Sequence, residues 1–116
     1  MEYIYAIDGD DIGKKIEKAL FHNNLDEAIK ISTKVEKSLI NLNYAFLKLG
    51  GETIFLAGDS LLVKSKKFIT LSPSMFQYED MTFSMGIANT PSDAVLALKK
   101  AKGLGKNRII NLIKKD

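Results

Sequence analysis

The sequence predicts a mixed α/β (α+β) fold of the ferredoxin-like kind, a mostly antiparallel sheet of about five strands with helices packed on it. Three observations predict it. An apolar, aromatic-rich run over residues 3–8 stops abruptly at acids and glycines. Two further strand-like runs, Thr53–Ala57 and Ser60–Lys64, are separated only by Gly58-Asp59. A third, Met81–Ala88, alternates bulky and small side chains between helical stretches. The order is β-α-α-β-β-(α)-β-α-β on one 116-residue chain, read as a single domain.

The first strand alternates Tyr3, Tyr5, Ile7 with Ile4, Ala6, Asp8. Both faces are mostly apolar, as a central strand covered on both sides requires. Asp10 or Asp11 can cap a helix over Ile12–Phe21, with Ile12, Ile16, Ala19 and Leu20 inward. His22-Asn23-Asn24 breaks it, and His22 is given no catalytic role. Asn24 caps a longer helix, Leu25–Leu49, with Glu27 as its capping-box partner. Val35, Leu39, Leu42, Phe46 and Leu49 form its core-facing stripe, and Gly50-Gly51 ends it.

Glycine at the first of two loop residues predicts a type II′ hairpin turn at Gly58-Asp59. Ser72-Pro73-Ser74 is expected to open a short helix through Tyr78. In the strand Met81–Ala88, Met81, Phe83, Met85 and Ile87 make a bulky face. Thr82, Ser84, Gly86 and Ala88 make a small one, which lets a helix pack closely. Thr90 caps that helix, with Pro91 at its first position, and the helix runs to about Lys102. Arg108–Ile113 is the last strand.

Composition excludes several function classes. There is no cysteine and only one histidine, so neither a disulfide framework nor a zinc site is expected. No run of residues is long and apolar enough for a membrane span, and a cytoplasmic protein without membrane contact is expected. The net charge of +3 permits a phosphate-bearing ligand but gives no DNA-binding signal.

The stretch Asp8-Gly9-Asp10-Asp11-Ile12-Gly13 gathers three carboxylates at a strand end. Such acids repel one another unless water or a cation sits among them. Taken alone, the stretch reads more simply as a solvated Asp-Gly turn before a helix. The topology changes that reading. A central first strand lies antiparallel to the second strand of the hairpin, so Asp8 and Asp59 arrive at one sheet edge. The helix from Thr90 returns to the same edge and brings Lys102 and Lys106. Carboxylates on neighbouring strand ends can hold two Mg²⁺ (or Mn²⁺) ions, the arrangement of in-line displacement at phosphorus.

These residues resemble a known family. Ile7-Asp8-Gly9-Asp10 looks like the first metal motif of GGDEF-type nucleotidyl cyclases, and Phe55-Leu56-Ala57-Gly58-Asp59-Ser60-Leu61 like a divergent GGDEF hairpin. Thr82–Ala88 and Ala101-Lys102 followed by Gly105-Lys106-Asn107 match its later signatures. The compact form looks most like the minimal CRISPR polymerases, stand-alone relatives of the palm domain in type III CRISPR complexes. The resemblance implies a palm domain that makes cyclic di- or oligonucleotide signals from nucleoside triphosphates in prokaryotic anti-phage defence, read by a downstream effector.

By position, it implies metal binding by Asp8, Asp59 and the Gly9 carbonyl, with Asp10 as a further catalytic acid. Lys102 and Lys106 match phosphate-contacting residues. Backbone amides from Asp10 through Asp11 and Ile12 to Gly13, opening a helix, could cradle the β- and γ-phosphates.

Ser60 replaces the acid that follows the metal aspartate in these relatives. Ile16 stands where guanine-reading cyclases carry asparagine, which favours ATP over GTP. One small palm cannot align two nucleotides for ring closure, so a homodimer is expected. Two other functions remain open: a catalytically silent nucleotide-binding regulator, and a ring-opening hydrolase like the archaeal GTP cyclohydrolases.

Overall fold

A computed structural model describes residues 1–72 and 80–114. The elements are β1 (Tyr3–Gly9), α1 (Ile12–Phe21), α2 (Leu25–Lys48), β2 (Glu52–Ala57), β3 (Ser60–Ser65), β4 (Phe83–Ala88), α3 (Pro91–Gly103) and β5 (Ile109–Asn111). The helix expected through Tyr78 falls largely on residues 73–79, outside the described residues.

The sheet order is β2-β3-β1-β4-β5. β1 is central and antiparallel to both neighbours, with Asp8 opposite Ser60 on β3 and Ser84 on β4. Among the described strands, only β5 runs parallel to its neighbour, β4. The ends of β1, the β2–β3 turn and the starts of β4 and β5 therefore share one sheet edge.

The two faces of β1 bury different partners. Tyr5 and Ile7 enter the main core with Ile31, Val35, Leu39, Leu42 and Phe46 of α2. The Tyr5 ring lies 5.1 Å from that of Phe46, and its hydroxyl accepts from the Ile69 amide at 2.7 Å. Ile4 and Ala6 form a second cluster with Ala88 and Ala94 against α3. The small face of β4 makes that contact close. A Cβ on Gly86 would overlap the Ala94 carbonyl and the Leu98 amide, so only glycine lets α3 lie this near.

The three helices of the described residues end in the same way. The second residue past the C-cap bonds back to the third residue before it: Asn24 to Ala19, Gly51 to Phe46, Lys106 to Ala101. A left-handed residue precedes each closing amide, namely Asn23, Gly50 and Gly105. Asn24 and Thr90 cap α2 and α3 through the amides of Glu27 and Asp93. The Asn24 amide itself goes to Ala19, so only half of the expected capping box forms.

Some expectations fail for reasons of geometry. Leu20 and Leu49 are about half exposed, Leu20 in the last turn of α1 and Leu49 at the C-cap of α2. The last strand is shorter than Arg108–Ile113. Its start is delayed because residues 106–107 turn through left-handed backbone.

Candidate active site

The β2–β3 turn is a two-residue hairpin in which Gly58 has φ +58° and Asp59 has no positive φ, as a type II′ turn requires. The Gly9 amide donates to the Asp59 carbonyl at 2.9 Å and ties the turn to the end of β1. Asp8 and Asp59 thus come together as the topology predicts. Burial, and then the Asp8 charge, push the Asp59 carboxyl above its ordinary value. One oxygen of Asp8 accepts the Ser60 hydroxyl at 2.6 Å. Ser60, at the position of the missing acid, therefore orients Asp8.

Asp10 behaves differently. It is 4% exposed, and both its oxygens are filled. One accepts Ser84 Oγ and Lys102 Nζ, each at 2.7 Å. The other accepts Thr82 Oγ1 at 2.7 Å and the Asn107 amide at 2.9 Å. Burial alone would push its carboxyl up. Lys102, with Thr82, Ser84 and the Asn107 amide, outweighs that and holds it below its ordinary value. Asp10 therefore anchors β1, β4 and the end of α3 to one another.

Lys102 Nζ also donates to the Gly9 carbonyl at 2.7 Å and lies 3.5 Å from Asp8 Oδ2. Lys106 pairs with Asp11 through Nζ and Oδ1, and this contact holds the Asp11 carboxyl low. Asp11 sits at the N-cap of α1 with φ 59° and makes no capping bond with its side chain, contrary to the sequence expectation. Its side chain is turned to Lys106 and Lys14 instead. The Asp10 amide is not free for phosphate, because it donates to the Thr82 carbonyl at 3.0 Å. Among the described residues, the amides of Ile12 and Gly13 have no backbone or side-chain acceptor, and α1 opens with its positive end toward the carboxylate edge.

A groove of about 490 Å³ adjoins this edge. Asp59, Gly58 and Gly13 border it, Ile12, Ile16 and Leu56 wall it, and Ser32 and Glu36 of α2 offer polar groups. An apolar slot with a few polar groups beside an amide-rich helix start suits a nucleotide. A larger cavity, about 630 Å³, lies at the opposite sheet edge among Lys48, Lys64, Lys66 and Lys67, away from the paired acids.

Among the described residues, no three His, Cys, Asp or Glu side chains converge as a metal cage. The donors at this edge are the carboxylates of Asp8 and Asp59, and the Gly9 carbonyl, which accepts Lys102 Nζ at 2.7 Å in this structure. All are hard oxygens, and the repulsion felt by Asp59 is relieved by a cation. Mg²⁺ is commonly held by one or two carboxylates plus substrate phosphates, so this donor set fits it.

The minimal CRISPR polymerase (mCpol) domain matches residues 4–112, nearly the whole chain. The chain belongs to the mCpol family. It is a nucleotidyl cyclase- or polymerase-like domain of the nucleotidyltransferase type. Among solved structures, the active GGEEF domain of a diguanylate cyclase from Vibrio cholerae is similar in fold, with a TM-score of 0.67 at 14% sequence identity. That alignment covers 98% of this chain and 84% of the other. No curated protein sequence matches the chain.

The mCpol fold expected from the motifs is therefore present. Thr82, Ser84 and the Asn107 amide were not foreseen as partners of Asp10. A signal for two of them existed: Thr82 and Ser84 lie on the small face of β4, which starts at the same edge as the acids. Ser32 and Glu36 gave no signal, because exposed polar residues on a long helix look like a solvated face. Among the described residues no helix is long and apolar enough to cross a membrane.

Proposed function

We propose that this chain is a divalent-cation-dependent nucleotidyltransferase that joins nucleoside triphosphates, ATP foremost, into a cyclic di- or oligonucleotide signal. The observation that carries the reading is the meeting of Asp8 and Asp59 at the sheet edge where α1 begins. Asp8 and Asp59 would hold Mg²⁺ or Mn²⁺, one ion or two, with the Gly9 carbonyl joining them once Lys102 Nζ gives it up. Bound there, the metal would supply charge neutralisation for attacking and leaving oxygens.

The chain's own residues do the rest. Ser60 fixes the rotamer of Asp8 through its 2.6 Å hydrogen bond. The free amides of Ile12 and Gly13 point their dipoles at an anionic triphosphate tail. Lys106 and Lys102 offer ammonium groups on the other side of that tail. The walls of the groove exclude water from the base. A 2′- or 3′-hydroxyl oxygen of one nucleotide bonds to the α-phosphorus of another. The bond from that phosphorus to the β-phosphate bridging oxygen breaks, pyrophosphate leaves, and the hydroxyl proton is released.

A cyclic dinucleotide needs two such reactions on opposed nucleotides, and a larger ring needs one per nucleotide. A homodimer with facing sites supplies them, and a signal of this kind serves anti-phage defence through a separate effector. ATP is favoured because Ile16, beside Ile12 on the groove wall, offers no hydrogen bond to a guanine edge.

Incubation with labelled ATP and Mg²⁺, followed by mass spectrometry, tests this. A cyclic adenylate and pyrophosphate are expected from the wild type and not from Asp59→Ala. Absence of any phosphodiester product, with nucleotide-dependent thermal stabilisation intact, would select a silent nucleotide-binding regulator. Consumption of GTP without phosphodiester formation would select a ring-opening hydrolase.

A further inference from the structure

The Lys102 ammonium has two carboxylates within ion-pairing distance, and the structure shows which it serves. It lies 2.7 Å from Asp10 Oδ1 and 3.5 Å from Asp8 Oδ2. Asp59 has no ion-pair partner within 4 Å among the described residues. Yet Asp8 and Asp59 are the acids that repel each other, and the nearby lysine would relieve them by a small shift of its flexible stem. What opposes the shift is Asp10, together with the Gly9 carbonyl, to which Lys102 Nζ also donates at 2.7 Å. The Asp10 carboxylate is nearly fully buried and cannot move toward the pair, because Ser84, Thr82 and the Asn107 amide hold it from β4 and from the turn after α3. A charge fixed by three neutral donors keeps its strongest remaining interaction for a cation, and Lys102 supplies it.

We infer that Asp10 is a positioning residue that keeps the Lys102 ammonium from closing nearer than 3.5 Å on Asp8 and from pairing with Asp59, and so keeps those two acids available to a divalent cation. The inference rests on the metal-site reading given above and adds a role for an acid that would otherwise be counted as a ligand. Removing the Asp10 charge frees the ammonium to settle on Asp8 and Asp59. It then competes with the metal from within the chain. A ligand role for Asp10 makes the opposite statement about Lys102, since deleting the lysine could not repair the loss of a donor oxygen.

The test is Mn²⁺ binding to the full chain without nucleotide, read by the electron paramagnetic resonance of free Mn²⁺. Wild type, Asp10→Asn, Lys102→Met and the double variant are compared. Asp10→Asn is expected to weaken Mn²⁺ binding at least about tenfold, as losses of outer partners of metal ligands do. Lys102→Met should bind as tightly as wild type or more tightly, and the double variant should recover wild-type affinity. A double variant as weak as Asp10→Asn, or an Asp10→Asn variant with unchanged affinity, overturns the inference. Should Asp10→Asn fail to fold, weaker binding by Lys102→Met alone overturns it, and equal or tighter binding supports it. A wild type that binds no Mn²⁺ is a different result, because it removes the metal-site reading on which this inference stands.

Discussion

Gly9 and Asp59 are joined by a backbone hydrogen bond of 2.9 Å, one residue beyond the register pair Asp8–Ser60. That bond carries the β1–β3 ladder into the hairpin turn. It fixes the turn against the end of the central strand and so sets two acids, distant in the chain, beside each other. Burial of Asp59, and then its repulsion by Asp8, is a cost in the folded protein, and it gives the first prediction.

Asp59→Asn should abolish nucleotidyl transfer and raise thermal stability at neutral pH. The folded-state carboxyl is raised above 3.8, so its ionised form disfavours the fold. That penalty is present above the raised value and disappears as pH falls below the unfolded value of 3.8. Melting curves of both proteins from neutral to acidic pH should therefore converge. A variant less stable than wild type at pH 7 would contradict this.

Asp10 has the opposite sign. Its carboxyl is held below 3.8, so it stabilises the fold above that value, and the contribution is lost as pH falls through the lowered folded value. Ser84→Ala removes one of its four donors and should cost about 1–2 kcal/mol in urea unfolding at pH 7. The deficit should shrink in acid once Asp10 is protonated.

Gly86→Ala tests the close approach of α3 to β4. Its methyl group meets the Ala94 carbonyl and the Leu98 amide, backbone atoms that cannot swing aside. A loss of about 3 kcal/mol, the upper end for overpacking, is expected in chemical denaturation. Gly13→Ala, with open space around its Cβ, should change stability little by the same measurement.

Lys106 has φ +66°, a conformation that costs a residue with a side chain roughly 1 kcal/mol. Its ion pair with Asp11 is partly exposed and offsets little of that. Lys106→Gly should leave the melting temperature unchanged or raise it. The KM for the triphosphate should rise about tenfold, equivalent to ~1.4 kcal/mol. A KM equal to wild type would remove Lys106 from phosphate binding.

Much of this architecture was legible in the sequence, because local chemistry and topology agreed. The bulky and small faces of β4, the Gly58-Asp59 turn and the caps at Asn24 and Thr90 are short-range signals, and each reappears in the fold. The convergence of Asp8 and Asp59 followed from strand order alone. The state of Asp10 was not legible. Three adjacent-looking acids in one motif are equivalent on paper, but the strand ends at Gly9 and the backbone turns left-handed at Asp11, which sends them to different places. Asp8 faces the edge, Asp10 is buried among donors, and Asp11 pairs with Lys106. Thr82 and Ser84 lie on the small face of β4 and could have been placed near Asp10 from the topology, but the Asn107 backbone donor arrives from a left-handed turn that the sequence pattern does not encode.

The central claim is that Asp8 and Asp59 share a divalent cation. Titrating Mn²⁺ into wild type, Asp8→Asn and Asp59→Asn measures it directly. Saturable binding by the wild type, lost or severely weakened in both variants, is the predicted result. Wild-type affinity in either variant would contradict the shared site.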